Sequence, residues 1–174
     1  MKKLRHTPTR ITRLALSCFL GLICLAIAGA PWLADRAHET AAGPLYLCFS
    51  FVCHQIPERS FSSHGHPWAV CHRCAGVYWG MLLATLLPQA LLAAARDPRR
   101  RRGWVLALSF PLLLDWALPL TGVWRSSALS RFSTGWLFGL MLTSLLVPAL
   151  AELFAAASRR HACAGTADLQ GVGT

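Results

Sequence analysis

Four blocks of mostly apolar residues alternate with short polar segments along this chain, and each is about long enough to cross a membrane as a helix. About 20 helical residues span a hydrocarbon core about 30 Å thick. The chain is 55% hydrophobic with a mean hydropathy of +0.45, which is too apolar for a soluble domain of 174 residues. We therefore predict an all-α integral membrane four-helix bundle, with spans at about 14–33, 75–95, 103–120 and 135–157.

The basic residues predict the orientation of these spans. Lys and Arg number 17 against 7 Asp and Glu, an excess that in a soluble chain would suggest nucleic acid. Here the basic residues stand in short clusters beside apolar blocks, which argues against nucleic acid and for a lipid bilayer as the partner. One side collects twelve Lys and Arg and the other five, so both termini should be cytoplasmic in the cell inner membrane. Residues 1–13 would be a basic cytoplasmic N-terminus and 158–174 a disordered cytoplasmic tail; protein partners and oligomeric state stay open.

The first apolar block could instead be a secretory signal peptide, because Ala28-Gly29-Ala30 resembles a cleavage site. The block is longer than a usual signal core, and Pro31 would follow the cut, so we expect a retained helix. Polar residues 34–42 and the pair Gly43-Pro44 should end that helix. Residues 45–74 would then form an extracytoplasmic Cys/His-rich loop between the first and second spans.

The outer loop contains Cys53-His54 and Cys71-x-x-Cys74. Three sulfurs and one imidazole are a common tetrahedral zinc set, and soft thiolates also suit other transition metals. We therefore predict that Cys53, His54, Cys71 and Cys74 bind a metal, with zinc first among the candidates. Adjacent residues seldom both point at one ion, so His72 could replace His54.

Three alternatives use the same residues or spans. Cys71 and Cys74 would lie at a helix N-terminus beside Arg73, where a thiolate is favoured, which suits a quinone-linked thiol–disulfide oxidoreductase. Because thiols outside the cytoplasm tend to be oxidised, a disulfide that only braces the loop is also possible. A small-solute transporter is the third alternative, and the sequence does not decide whether the protein is an enzyme.

Polar residues from distant segments should gather near the outer end of the bundle. Asp115 lies inside the third predicted span, where an ionisable side chain needs a partner, and Arg73, Arg125 and Arg131 are within reach. Gly-x-x-x-Gly pairs on the second and fourth spans would allow those helices to cross closely: Gly76, Gly80, Gly135 and Gly139. The expected polar residues around the cysteines are Gln55, Arg59, Arg73, Tyr78, Asp115 and Arg131.

These motifs resemble a bacterial and archaeal family of small multi-pass membrane proteins that is catalogued as a domain of unknown function. The resemblance covers about residues 45–145 and rests on Cys53-His54-Gln55, on Pro57-Glu58-Arg59-Ser60-Phe61, and on Cys71-x-Arg73-Cys74-x-Gly76-x-Tyr78-x-Gly80. It implies membrane placement and a shared outer site, without a reaction. The chain departs from the family pattern at Trp116, where a glycine usually follows the aspartate, and at His72, where a small residue is frequent.

Overall fold

The computed structural model describes residues 6–88, 97–122 and 125–170, and this part of the chain is mostly helical. A two-stranded antiparallel hairpin lies between the first two helices, and short 3-10 turns occur at Pro57–Arg59 and Leu118–Thr121. The elements are α1 (His6–Ser50), β1 (Ser60–Ser63), β2 (His66–Cys71), α2 (His72–Leu86), α3 (Pro98–Ala117) and α4 (Ala128–Gln170).

Within the described residues, three helical segments are long and apolar enough to cross a membrane: Arg10–Arg36, Arg99–Thr121 and Ala128–Ala157. Many of their large apolar side chains are exposed, as expected of residues that face lipid. Helix α2 ends at Leu86, inside the predicted second span of 75–95, and residues 89–95 of that span fall outside the described chain. The second predicted span, and with it the total of four spans, therefore stays a prediction.

Helix α1 corrects the prediction that the chain breaks at residues 34–44. It continues through Pro31 and Pro44 to Ser50, a length of 45 residues. Polar residues 34–42 include the helix formers Ala, Arg and Glu, and the Arg36 guanidinium lies 4.7 Å from the centre of the Trp32 ring one turn earlier. At about 1.5 Å per residue the helix is about 68 Å long, roughly twice the hydrocarbon thickness. Its C-terminal end therefore reaches the region that was predicted to be loop.

The predicted Cys/His loop is a small sheet region rather than an irregular segment. Strand β1 pairs with β2 through Ser60 opposite Cys71 and Ser63 opposite His66. The turn between them uses His64 (φ 53°) and Gly65 (φ 80°), both in the left-handed region that suits tight hairpins. Pairing with Ser60 fixes Cys71 immediately before α2 begins.

A hydrophobic cluster joins the hairpin to the helices at this end of the molecule. It consists of the buried residues Ile27, Cys53, Val70 and Ala75. Elsewhere α2 packs along α4, α1 contacts α2 and α4, and α3 packs on α4. This packing is consistent with a bundle, whereas the closed four-helix bundle remains a prediction.

Candidate metal centre

The structure brings three cysteines together at the base of the hairpin. The sulfur atoms of Cys53, Cys71 and Cys74 all lie within 4.8 Å of one another, and this group could hold a metal ion. Cys53 follows the end of α1, where its N–H donates to the Phe49 carbonyl at 2.9 Å. Cys71 ends β2, and Cys74 is in the first turn of α2. The segment after α1, the end of β2 and the first turn of α2 thus each contribute one sulfur.

The three thiols interact with one another directly. The backbone N–H of Cys71 donates to Cys53 Sγ at 3.2 Å. Hydrogen bonds from Cys53 and Cys74 lower the pKa of Cys71 to about 2, although burial opposes this shift. The same contacts, first with Cys53 and then with Cys71, raise the pKa of Cys74 above its ordinary value. The trio therefore holds one negative charge readily and a second only with difficulty, unless a cation binds.

Gln55 fixes the segment that follows Cys53. Its backbone is in the left-handed region (φ 50°), and its side-chain amide donates to the carbonyls of Tyr46 at 2.7 Å and Ala69 at 2.8 Å. The Tyr46 hydroxyl also donates to the Pro67 carbonyl. These bonds attach the hairpin to the end of α1. Gln55 therefore supports the position of the cysteines without being one of the gathered ligands.

The two histidines considered as ligands occupy different environments. His54 is exposed, and it is not among the residues whose ligand atoms gather with the three sulfurs. His72 is buried, and its ring meets the Phe61 ring edge to face at 4.4 Å. Burial lowers the pKa of His72, as does the nearby charge of Arg131. Among the described residues, His72 Nδ1 is a buried side-chain atom without a hydrogen-bond partner.

Of the three arginines predicted to lie within reach of Asp115, Arg73 forms the ion pair. Arg73 Nη2 lies 2.6 Å from Asp115 Oδ2 and Arg73 Nε lies 3.1 Å from it. The other carboxylate oxygen, Oδ1, accepts from the Ser130 hydroxyl at 2.8 Å. Arg131 instead donates through Nε to the Ser126 hydroxyl at 2.8 Å. The roles of Ser126 and Ser130 were not anticipated, although both lie near the predicted arginine site in the sequence.

The other two residues of the predicted polar shell, Arg59 and Tyr78, differ in their exposure. Arg59 is exposed at the start of the hairpin. Tyr78 is half-buried, packs against the hydrophobic cluster that contains Cys53, and meets the Phe49 ring edge to face with centroids 6.4 Å apart. It therefore lies on the side of α2 that faces α1.

Helices α2 and α4 cross at the four glycines of the Gly-x-x-x-Gly pairs. A Cβ at any of them would collide with the backbone of the facing helix, which explains why no larger residue fits there. The collisions would involve the carbonyl oxygen of Phe132 for Gly76, of Trp136 for Gly80, of Arg73 for Gly135 and of Val77 for Gly139. This crossing sets the position of the first turn of α2 and hence of Cys74.

Comparisons with known proteins place this chain among membrane proteins. Residues 53–145 match a family described as "Predicted membrane protein (DUF2085)". An uncharacterized protein of Methanocaldococcus jannaschii, MJ1492, is 33% identical over 110 residues, which is 63% of this chain and 70% of that protein. An uncharacterized protein of Methanothermobacter thermautotrophicus is 38% identical over 101 residues, 56% of this chain and 86% of that protein. No solved structure matches the chain.

Proposed function

The chain belongs to the predicted membrane protein family DUF2085, and on this premise we propose that it binds a transition metal, with zinc first, through Cys53, Cys71 and Cys74. In this proposal the metal lies at the extracytoplasmic end of a four-span protein of the cell inner membrane, with both termini in the cytoplasm. The matched region begins at the first of the three cysteines and therefore includes the whole site.

The mutual distance of the three sulfurs carries this proposal. Tetrahedral zinc with Zn–S bonds of about 2.3 Å holds its sulfurs about 3.8 Å apart. The observed upper limit of 4.8 Å is therefore about 1 Å wider than a closed site would need. Side-chain rotation can supply a movement of that size without breaking the hairpin. Metal binding would also neutralise the charge of neighbouring thiolates, which otherwise repel one another.

Three cysteines leave one tetrahedral position for another ligand. We propose His54 for this position, because its imidazole is exposed and the alternative, His72, is buried against Phe61. If water takes the position instead, the site resembles catalytic zinc centres, in which the open position carries the reaction. Gln55, Arg59, Arg73, Tyr78, Asp115 and Arg131 would form the polar surroundings that orient the ligands.

The same geometry favours dithiol chemistry as the second candidate. The lowered pKa of Cys71 favours its thiolate form. The thiol of Cys53 or of Cys74 could form a disulfide with it. In that step two thiols would lose two electrons and two protons to an acceptor, which in a membrane could be a quinone. A resident metal and a cycling disulfide use the same sulfurs, so they are alternatives.

Metal analysis of the protein purified in detergent separates the two candidates. We expect about one metal ion per chain for the wild type, and less than about a tenth of that for Cys71→Ser and Cys74→Ser. Cys48→Ser is the matched control, because Cys48 is exposed and lies outside the cluster. His54→Ala then tests the fourth ligand through its effect on metal affinity. A metal-free wild type in which alkylation shows a disulfide within the trio would replace the metal proposal with the redox one.

A further inference from the structure

Three chain segments meet around the ring of Phe61, next to the sulfur group. The Phe61 ring lies 4.4 Å from the His72 ring and 5.7 Å from the Phe132 ring, measured between centroids. The starts of β1, α2 and α4 are therefore held together. The close approach of Gly135 to the Arg73 carbonyl and of Gly76 to the Phe132 carbonyl fixes two of them against each other.

Each of these three segments carries one arginine. Arg59 precedes β1, Arg73 is in the first turn of α2, and Arg131 is in the first turn of α4. The positive charges of Arg59 and Arg73 both act on the Arg131 guanidinium, so each of them lies within electrostatic range of Arg131. Arg59 is exposed, and the other two are half-buried. The cluster can therefore be reached from outside the protein.

The negative groups near this cluster do not balance it. Asp115 is occupied by Arg73 and by the Ser130 hydroxyl. Among the described side chains, no carboxylate lies within 4.0 Å of Arg59 or Arg131. Arg131 donates to Ser126, which is neutral. The Cys71 thiolate also acts on Arg131, but one thiolate and one carboxylate leave the three arginines with an excess of one positive charge.

The buried imidazole beside the arginines adds an independent sign of an incomplete polar site. His72 is 6% exposed, and its Nδ1 has no hydrogen-bond partner among the described residues. A buried polar atom that makes no hydrogen bond is unfavourable, so such atoms are rare unless a ligand or water completes them. The charge of Arg131 acts on this imidazole too, which locates it at the same cluster.

We propose that Arg59, Arg73 and Arg131 form a binding site for a phosphate group at the outer boundary of the membrane. Guanidinium groups match the oxygens of phosphate with paired hydrogen bonds. Arg59 and Arg131 can each contact oxygens of a tetrahedral anion, and Arg73, whose Nε and Nη2 bind Asp115, can contribute its remaining Nη1. The phosphate could be a soluble ion or ester, or the head group of an anionic lipid. The site does not require the metal proposed above.

Binding is measured on the full-length protein in a neutral, phosphate-free detergent. One arm titrates inorganic phosphate, and the other adds phosphatidylglycerol or, for comparison, phosphatidylcholine; thermal stabilisation and calorimetry report binding in both. Arg59→Gln and Arg131→Gln should each weaken binding by about 10-fold or more, since each removes charge-assisted hydrogen bonds. Arg125→Gln, which changes an exposed arginine outside the cluster, should leave binding unchanged.

The outcomes distinguish a soluble phosphate from a lipid head group, and they distinguish the phosphate site from the metal site. Saturable, arginine-dependent binding of inorganic phosphate supports a soluble ligand, and arginine-dependent binding of phosphatidylglycerol alone supports a lipid head group. Cys74→Ser should bind phosphate as well as the wild type does, even where it loses metal. Should Arg131→Gln fail to fold, the exposed Arg59→Gln still decides. No binding in either arm, or binding that Arg59→Gln does not weaken, overturns the inference.

Discussion

Arg73 and Asp115 join the first turn of α2 to the end of α3 by a bidentate arrangement. Arg73 Nη2 lies 2.6 Å from Asp115 Oδ2 and 2.8 Å from the Asp115 backbone oxygen. The carboxylate is 6% exposed, and its other oxygen accepts from Ser130 on α4. One buried acid therefore connects three helices at the first turn of α2, which also carries Cys74. A buried carboxylate is tolerated because each of its oxygens has a partner.

Removing this carboxylate should destabilise the protein measurably. Asp115→Ala leaves Arg73 without its counter-charge and leaves the Ser130 hydroxyl with only its longer bond to the Ser127 carbonyl. Breaking a buried pair costs about 3 to 5 kcal/mol; because the Arg73 side chain is 25% exposed and can be rehydrated, we expect about 2 to 3 kcal/mol. Chemical unfolding in detergent measures the change. Glu152→Ala, at an exposed acid on α4, is the control and should change stability by less than about 0.5 kcal/mol.

A double substitution tests whether the loss comes from the pair itself. If Arg73 and Asp115 interact as the distances indicate, Arg73→Ala combined with Asp115→Ala should cost less than the sum of the single changes. The expected coupling is about 1 to 3 kcal/mol. Additive effects would mean that each residue acts through other contacts.

The crossing of α2 and α4 predicts which glycines tolerate a methyl group. Gly80→Ala would place its Cβ against the Trp136 carbonyl, a backbone group that cannot rotate away. We expect the helices to separate. The free energy of unfolding should fall by about 1 to 3 kcal/mol, and the yield of folded protein should be lower. Gly21→Ala and Gly29→Ala are matched controls in α1, since no heavy atom lies within 4 Å of either new Cβ. Equal thermal stability of Gly80→Ala and these controls would contradict the close crossing.

Apolar periodicity and motif spacing predict the helical character, and they also place the cysteines at one end. The predictions were wrong where local backbone propensity and long-range packing favour different structures. Gly43-Pro44 has the composition of a helix break, yet α1 passes through it, because a helix with apolar residues on both sides can retain most of its hydrogen bonds around one proline. The outer segment then becomes a hairpin, since only residues 51–71 remain between α1 and α2.

The candidate site was also predicted only in part, for a physical reason. The spacing Cys71-x-x-Cys74 indicates two neighbouring thiols, and Cys53 joins them because the segment after α1 meets the end of β2, where the Cys71 N–H donates to Cys53 Sγ. The burial of His72 against Phe61 depends on three segments that converge from distant parts of the chain. No local pattern encodes that convergence. For the same reason the sequence offered three arginine partners for Asp115, and only the folded arrangement distinguishes Arg73.

Gln55 should be needed for a well-formed cysteine cluster although it lies outside it. Gln55→Ala removes both side-chain hydrogen bonds to the carbonyls of Tyr46 and Ala69, and it retains a residue in the left-handed region. We expect a loss of about 1 to 3 kcal/mol in stability and a metal affinity about 10-fold lower. Ile56→Ala, one residue further along at a partly exposed side chain, is the control. Metal affinity that is equal in the two variants would show that the hairpin is held by other contacts.

Site-specific labelling tests the predicted orientation, in which twelve basic residues face the cytoplasm and five face outward. In a Cys48→Ser background, Ser62→Cys adds an exposed thiol to the hairpin, and Gly103→Cys adds one near the start of α3. A maleimide that cannot cross membranes should label Ser62→Cys in intact cells, but Gly103→Cys only after permeabilisation. The background protein reports any reaction of its remaining thiols. Labelling of Gly103→Cys but not Ser62→Cys in intact cells would place the sulfur group in the cytoplasm. There a reducing environment disfavours a disulfide, so the redox candidate would lose its support while the metal candidate would not.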